Sequence, residues 1–249
     1  MLRVCTWNIN LGVRLSEVVE AVSSHRDFAG LDLFAVQEAS VHDGRPDGQA
    51  LAAVLGPDYR CHQVAAQTVK GHIQANAVIW NAGRVDIRRV DHLRLPRGGR
   101  KSAGAATGRF RQQRNSVVVE GEGNQLSLLA YSVHLDISGL AHKREQLAYV
   151  IEDQQARTPA DLTVVAGDLN MYHLSRWPSW SGVIQAYEAA GFVDAARSIR
   201  WTHSFPALGI KQKLDSILVR SSAGLEIRSW TIDVRGSDHI PLFADLTPR

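Results

Sequence analysis

At 249 residues, with 45 % apolar and 21 % charged side chains, the chain has the balance of a soluble globule with a sizeable core. No run approaches the roughly 18 apolar residues of a membrane span, and Met1 to Asn8 lacks the charged-then-apolar order of a secretory signal, so a cytoplasmic protein is expected. The two cysteines, Cys5 and Cys61, make no disulfide framework and read as buried thiols.

In chain order, Leu2 to Asn8 reads as a first strand. Leu15, Val18, Val19 and Val22 recur at helical spacing and predict an amphipathic helix ending near His25. Leu31 to Glu38 is a second buried strand that ends in a carboxylate. A short helix over Gly48 to Leu55 precedes strand-like runs at Tyr59 to Ala66, Ile73 to Trp80 and Val85 to Leu95. Ser116 to Glu120 and Leu126 to His134 flank Gly121-Glu122-Gly123-Asn124, the pattern of a β-hairpin. Leu140, Leu147, Val150 and Ile151 mark a helix feeding the strand Leu162 to Asn170. A helix over Val183 to Ala190 stops at Gly191, and strands at Leu214 to Val219, Leu225 to Ile232 and Ile240 to Leu246 complete the chain. Strands interspersed with helices and hairpins predict two packed sheets with helices outside, without a linker or internal repeat.

Charge is unevenly spread. The net charge is +3, yet between Arg84 and Arg114 ten basic residues meet only Asp86 and Asp91, giving this segment +8 and the remainder −5. Such a local positive field attracts phosphates. Within it, residues 97–109 are rich in Gly, Ala and Ser without periodicity and are expected to form a flexible basic loop, either solvated or in contact with phosphate.

The polar residues fall at the ends of apolar strands. Trp7-Asn8, Gln37-Glu38, Val133-His134-Leu135-Asp136, Gly167-Asp168-Leu169-Asn170, Leu214-Asp215 and Ser237-Asp238-His239 each interrupt or border one. Singly, an Asn or His at such a place is most often a turn or structural residue. Together they are the residue types that a phosphate-cleaving site requires. In an extended strand Asp168 and Asn170 would share one side, about 7 Å apart. No Cys or Ser nucleophile pairs with a base at these positions, and no Cys and His have the spacing of a zinc cluster.

This ordered set of motifs resembles the endonuclease/exonuclease/phosphatase superfamily, with its DNase I-like fold, over nearly the whole chain. The resemblance implies a four-layered α/β sandwich in which two mixed sheets pack face to face, with helices on the outer faces and the site at one edge. It implies one catalytic domain over 1–249, acting as a metal-dependent phosphoesterase with Mg²⁺ or Mn²⁺. By the same resemblance Glu38 is the main carboxylate ligand of the metal, with Asn8 beside it as a ligand or phosphate contact, and Asp238 is a further carboxylate either on the metal or one step behind its ligands. Asp168 orients and deprotonates the attacking water, Asn170 holds the scissile phosphate, and His239, oriented by Asp215, contacts a nonbridging oxygen. His134 is placed on the phosphate or leaving group. Two departures bear on the substrate. His134 stands where apurinic-site endonucleases have a tyrosine, and Gln74-Ala75-Asn76-Ala77 keeps the asparagine of a Gly-Asn-Ala signature without its glycine.

Asn10 and Asn76 are weaker substrate-binding candidates, as are Trp177 and Trp180, whose rings could stack on bases or serve only core or lid packing. The leading expectation is a nuclease or other phosphodiesterase acting by in-line water attack, with nucleic acid among its candidate partners. The alternative is a phosphatase or phosphodiesterase for a small-molecule or lipid-headgroup phosphate, and a non-catalytic binding module is a distant third. A monomer without an obligate protein partner is expected.

Overall fold

The computed structural model describes the chain except residues 70, 98–111, 138, 172–177 and 206–208, and the side chains of 178–182. The first half runs through β1 (Leu2–Asn8), α1 (Leu15–Ser24), β2 (Leu33–Ala39), β3 (Val41–His42), β4 (Arg45–Pro46), α2 (Asp47–Leu55), β5 (Tyr59–Val69), β6 (His72–Asn81) and β7 (Val85–Arg94). Next come β8 (Asn115–Gly123), β9 (Leu126–His134), α3 (Leu140–Ala156), β10 (Leu162–Asp168) and α4 (Pro178–Ala189). The last part holds β11 (Val193–Asp194), β12 (His203–Phe205), β13 (Ile210–Gln212), β14 (Asp215–Ser221), β15 (Leu225–Thr231) and β16 (Leu242–Pro248). Apart from Arg97, the expected basic loop lies outside the described residues.

Two six-stranded sheets carry the architecture, in the orders β15-β16-β1-β2-β6-β5 and β11-β14-β10-β9-β8-β7. Each is mixed. β1 and β2 pair in parallel through the crossover helix α1, and β9 and β10 pair in parallel through α3. A parallel pair needs such a crossover, because a tight hairpin can only reverse the chain. The other described pairings in the two sheets are antiparallel.

Strand alternation separates three cores and so sets the layers. Leu2 and Val4 of β1 meet Val117, Ala130, Val164 and Ile217 between the sheets. Cys5 and Trp7, one residue out of phase with them, pack outward with Val18 and Val22 of α1 and Leu51 of α2. On the opposite outer face Tyr131, Val133 and Val165 pack with Leu147 and Val150 of α3 and Val183 of α4. The unbroken apolar run of β10 follows from this, since the strand is covered on both faces. The result is the four-layered sandwich, with helices outside two mixed sheets.

The sequence reading differs from the structure at the joints. The hairpin turn is Asn124-Gln125, both at positive φ (52° and 63°), and β8 continues to Gly123. Positive φ at both central residues is the two-residue geometry that matches strand twist. The short hairpins β3–β4 and β12–β13, and the two-residue β11, were not anticipated, because runs this short leave no period to read.

Candidate active site

The topology brings the carboxyl ends of the four parallel strands to one edge. Asn8 ends β1, Glu38 is the penultimate residue of β2, His134 ends β9 and Asp168 ends β10. Asp215 opens β14 directly opposite Asp168 in the ladder, and His239 lies just ahead of β16. Crevices at the carboxyl ends of parallel strands are where α/β sheets collect functional groups.

Asp168 is the hub. Its Oδ2 accepts from Asn8 Nδ2 at 3.0 Å and lies 3.6 Å from His134 Nε2 and 3.8 Å from His239 Nε2. Its Oδ1 accepts from the backbone N–H of Asn170 at 2.8 Å. That contact corrects the extended picture of Gly167 to Asn170. Asn170 leaves the strand at φ 50°, so the chain turns back on Asp168, and Asn170 Nδ2 donates to Leu135 O at 3.0 Å. Lys143 Nζ, on α3, holds the Asn170 carbonyl at 2.5 Å.

Glu38 reaches the edge through irregular backbone. The register of β2 against β6 slips between Val36 and Ala39, and Glu38 sits in this bulge at φ 52°. A bulge re-aims a side chain that regular pleating would send elsewhere. Gln74 Nε2 then anchors Glu38 Oε1 at 3.0 Å. Gln37, its neighbour, is not part of the site. It bridges the sheets, accepting from Thr6 Oγ1 at 3.1 Å and donating to Ser132 Oγ at 3.1 Å.

His239 Nδ1 lies 2.8 Å from Asp215 Oδ2, and the Asp215 backbone N–H is itself held by Thr202 Oγ1. Burial alone would lower the pKa of His239, but Asp215, Asp168 and Asp238 together raise it to about 10. Burial raises Asp168 to about 6 against the pull of His239. These two upward shifts, one from burial and one from neighbouring carboxylates, set a weakly basic carboxylate beside an imidazolium, an arrangement that separates base from acid in one site. His134 goes the other way, pushed well down by burial, then by Arg114 and His239. Asp238 is drawn down to about 2 by His203 and His239, against the upward push of burial.

Two groups of three ligand-type side chains converge here: Asp168, Asp215 and His239, and His203, Asp238 and His239. Both share His239, whose Nδ1 is committed to Asp215 and whose protonated ring has no lone pair to offer a cation. Asn8, Glu38 and Asp238 offer oxygen donors, the kind a hard dication takes. Burial raises the pKa of Glu38 against Arg114 and His239, and the like charge of Asp238 adds to the rise.

A family model described as the endonuclease/exonuclease/phosphatase family matches residues 5–239, a span that takes in every one of these strand ends. The chain belongs to that family. Solved structures share its fold. An endonuclease/exonuclease/phosphatase from Bacteroides vulgatus is 17 % identical with a TM-score of 0.74, the match covering 100 % of this chain and 99 % of the other. The mannosyl-6-phosphatase of Bacteroides thetaiotaomicron is 16 % identical with a TM-score of 0.69, over 99 % and 100 % of the two chains. D. rerio TDP2 in complex with a single-strand DNA product is 17 % identical with a TM-score of 0.69, over 99 % and 98 %. No sequence among curated proteins matches the chain.

The remaining sequence candidates divide. Asn10 donates its backbone N–H to Asn8 Oδ1 at 3.0 Å and so steadies that side chain. Asn76 spends its amide on Asn115 O at 2.7 Å, tying β6 to β8 across the sheets. Trp177 lies outside the described residues, as does the side chain of Trp180. Sequence reasoning missed Gln74, His203 and above all Arg114, which was counted only as one charge of the basic segment. The residue is 1 % exposed and its Nη1 lies 3.1 Å from His134 Nδ1.

Proposed function

We propose that this chain is a divalent-metal-dependent phosphoesterase that cleaves a phosphodiester by in-line attack of water. The observation that carries the reading is the meeting of Asn8, Glu38, His134, Asp168 and His239 at the carboxyl ends of both parallel strand pairs. Glu38, Asn8 and Asp238 would hold Mg²⁺ or Mn²⁺, which supplies positive charge against the phosphate oxygens when bound.

The chain's own residues supply the rest. Asp168 is ionised at neutral pH and, near pKa 6, basic enough to orient a water and accept its proton. Protonated His239 faces the same carboxylate and donates to a nonbridging oxygen, where charge builds in the transition state. His134 Nε2 and the second N–H of Asn170 add neutral donors on the other flank. Asp215 holds the His239 ring and its charge.

Nucleic acid is the first substrate class to try, in keeping with the DNA-bound TDP2 of the same fold. One observation favours a smaller phosphate. Arg84 pairs with Asp32 at 2.8 Å, Arg88 with Asp86 and Glu122, and Arg89 with Asp91 and Glu120, so three of the ten basic residues of the segment are engaged within the protein. The mannosyl-6-phosphatase of like fold is consistent with that second reading.

A panel of plasmid, oligonucleotide, sugar-phosphate and lipid-headgroup substrates separates the two. Turnover with Mg²⁺ or Mn²⁺, abolished by EDTA and reduced on the order of 10²–10³-fold or more by Asp168→Ala, is expected. Full metal-dependent activity in Glu38→Gln would remove Glu38 as the ligand. No turnover on any phosphate ester would remove the proposal.

A further inference from the structure

We propose that Arg114 is a positioning residue that decides which nitrogen of His134 carries the proton. Arg114 stands just ahead of β8, and its backbone is pinned. Its carbonyl accepts from Leu95 N at 3.0 Å and from Gln113 Nε2 at 2.7 Å, while Gln113 N donates to Gln67 Oε1 at 2.9 Å. From this fixed point the side chain reaches the end of β9 and places Nη1 3.1 Å from His134 Nδ1.

A guanidinium has N–H donors and no acceptor, and it keeps its charge. The nitrogen facing it must therefore present a lone pair. That fixes Nδ1 as acceptor and leaves the ring's one proton on Nε2. Nε2 is the atom turned to the middle of the site, 3.7 Å from Glu38 Oε1 and 3.6 Å from Asp168 Oδ2. A phosphate oxygen bound between those carboxylates and the ring meets an N–H. With the other tautomer it would meet a lone pair, and two N–H groups would oppose each other at Nδ1.

The orienting partner of a catalytic histidine is usually a carboxylate, which accepts from one nitrogen and frees the other as a base. Asp215 instead holds the His239 ring charged, so that its Nε2 donates as well. Arg114 imposes the opposite polarity at Nδ1 of His134 and leaves Nε2–H of the neutral ring as the donor. Two histidines on one phosphate are thus set by partners of opposite charge. Arg114 Nε and Nη2 are buried without a hydrogen-bond partner among the described residues, while Glu38, Asp136 and Asp168 act on the guanidinium only through their charge.

The catalytic consequence rests on the phosphoesterase reading, but the tautomer can be measured without substrate. Imidazole ¹H–¹⁵N correlation spectra of the full chain distinguish the two nitrogens, and loss of one ring's signals in His134→Asn assigns them. The expected pattern at neutral pH is a protonated Nε2 and an unprotonated Nδ1. Arg114→Met, which cannot donate, should give a mixture of tautomers, whereas Arg114→Gln, whose amide still donates, should keep the Nε2–H form. On a turned-over phosphodiester, Arg114→Met should lose on the order of 10²-fold in kcat with KM little changed, and Arg114→Gln should recover part of that loss. A proton on Nδ1 in the unmodified chain, or a His134 pattern unmoved by Arg114→Met, overturns the proposal. Absence of hydrolysis in every form counts against the phosphoesterase reading alone, because the spectra answer the tautomer question separately.

Discussion

At the level of single residues, the site works by setting like groups in unlike surroundings. Asp168 and Asp215 face each other across one rung of the β10–β14 ladder, where burial raises Asp168 to about 6 and Asp215 is the chief partner that raises His239 to about 10. If Asp168 must be ionised and His239 protonated, activity should rise as pH passes about 6 and fall as it passes about 10. Asp215→Asn removes the leading cause of the upper limb, so that limb should move well below 10, a shift that pH–rate profiles of the two proteins would show. Stability should follow with a definite sign. A histidine whose folded pKa lies above its ordinary 6.5 stabilises the fold fully below that value and loses the contribution as pH climbs toward about 10. The stability gap between the unmodified chain and Asp215→Asn should accordingly be widest below pH 6.5 and narrow above it. A gap that widens with rising pH, in urea unfolding measured at several pH values, would contradict the pairing.

Among the elements, the ends of the strands matter more than their middles, and they were also the harder part to read. Gly167 shows why. A Cβ there would sit 1.8 Å from Val133 O, against backbone that cannot step aside. Gly167→Ala should therefore force β9 from β10 immediately before His134 and Asp168, lowering stability by more than about 2 kcal/mol and removing activity together. Urea unfolding and a rate assay on the same sample would check it, and a stable, active variant would show that the strands can separate harmlessly. Long apolar runs, unbroken because both sheet faces are covered, made the four central strands legible, and spacing near 3.6 did the same for α1 and α3. The polar strand ends were legible as chemistry, since Asn8, Glu38, His134 and Asp168 interrupt apolar runs. What escaped was geometry created by departure from regular pairing: the bulge that turns Glu38 inward and the turn that folds Asn170 back on Asp168. Arg114 escaped for another reason. Its partner His134 is distant in sequence, and nothing local distinguishes a buried arginine from the solvated ones around it.

For the molecule as a whole, the question is how much of the +8 segment can reach a substrate. Of its ten basic residues, Arg84, Arg88 and Arg89 are engaged with carboxylates and Arg114 is buried against His134, which leaves six. Arg100, Lys101, Arg109 and Arg111 lie outside the described residues, and Arg97 donates to Gln113 Oε1 at 2.7 Å. Surface pairs of this kind are individually weak, so their effect here is on field and not on stability. Binding of a duplex loses about 0.9 in the slope of log K against log salt for each phosphate neutralised, and a single strand about 0.7. If the segment carries the contacts, the slope should be no steeper than about −5 for duplex and about −4 for a single strand. Titrations of fluorescent oligonucleotide at several salt concentrations would measure it, in the presence of Ca²⁺ if Mg²⁺ supports cleavage. A slope near zero would take the segment out of substrate binding and favour the small-phosphate reading. A slope well beyond −5 would mean that the ion pairs of β7 open to meet nucleic acid, and Arg88→Gln with Arg89→Gln should then bring it back by about 2.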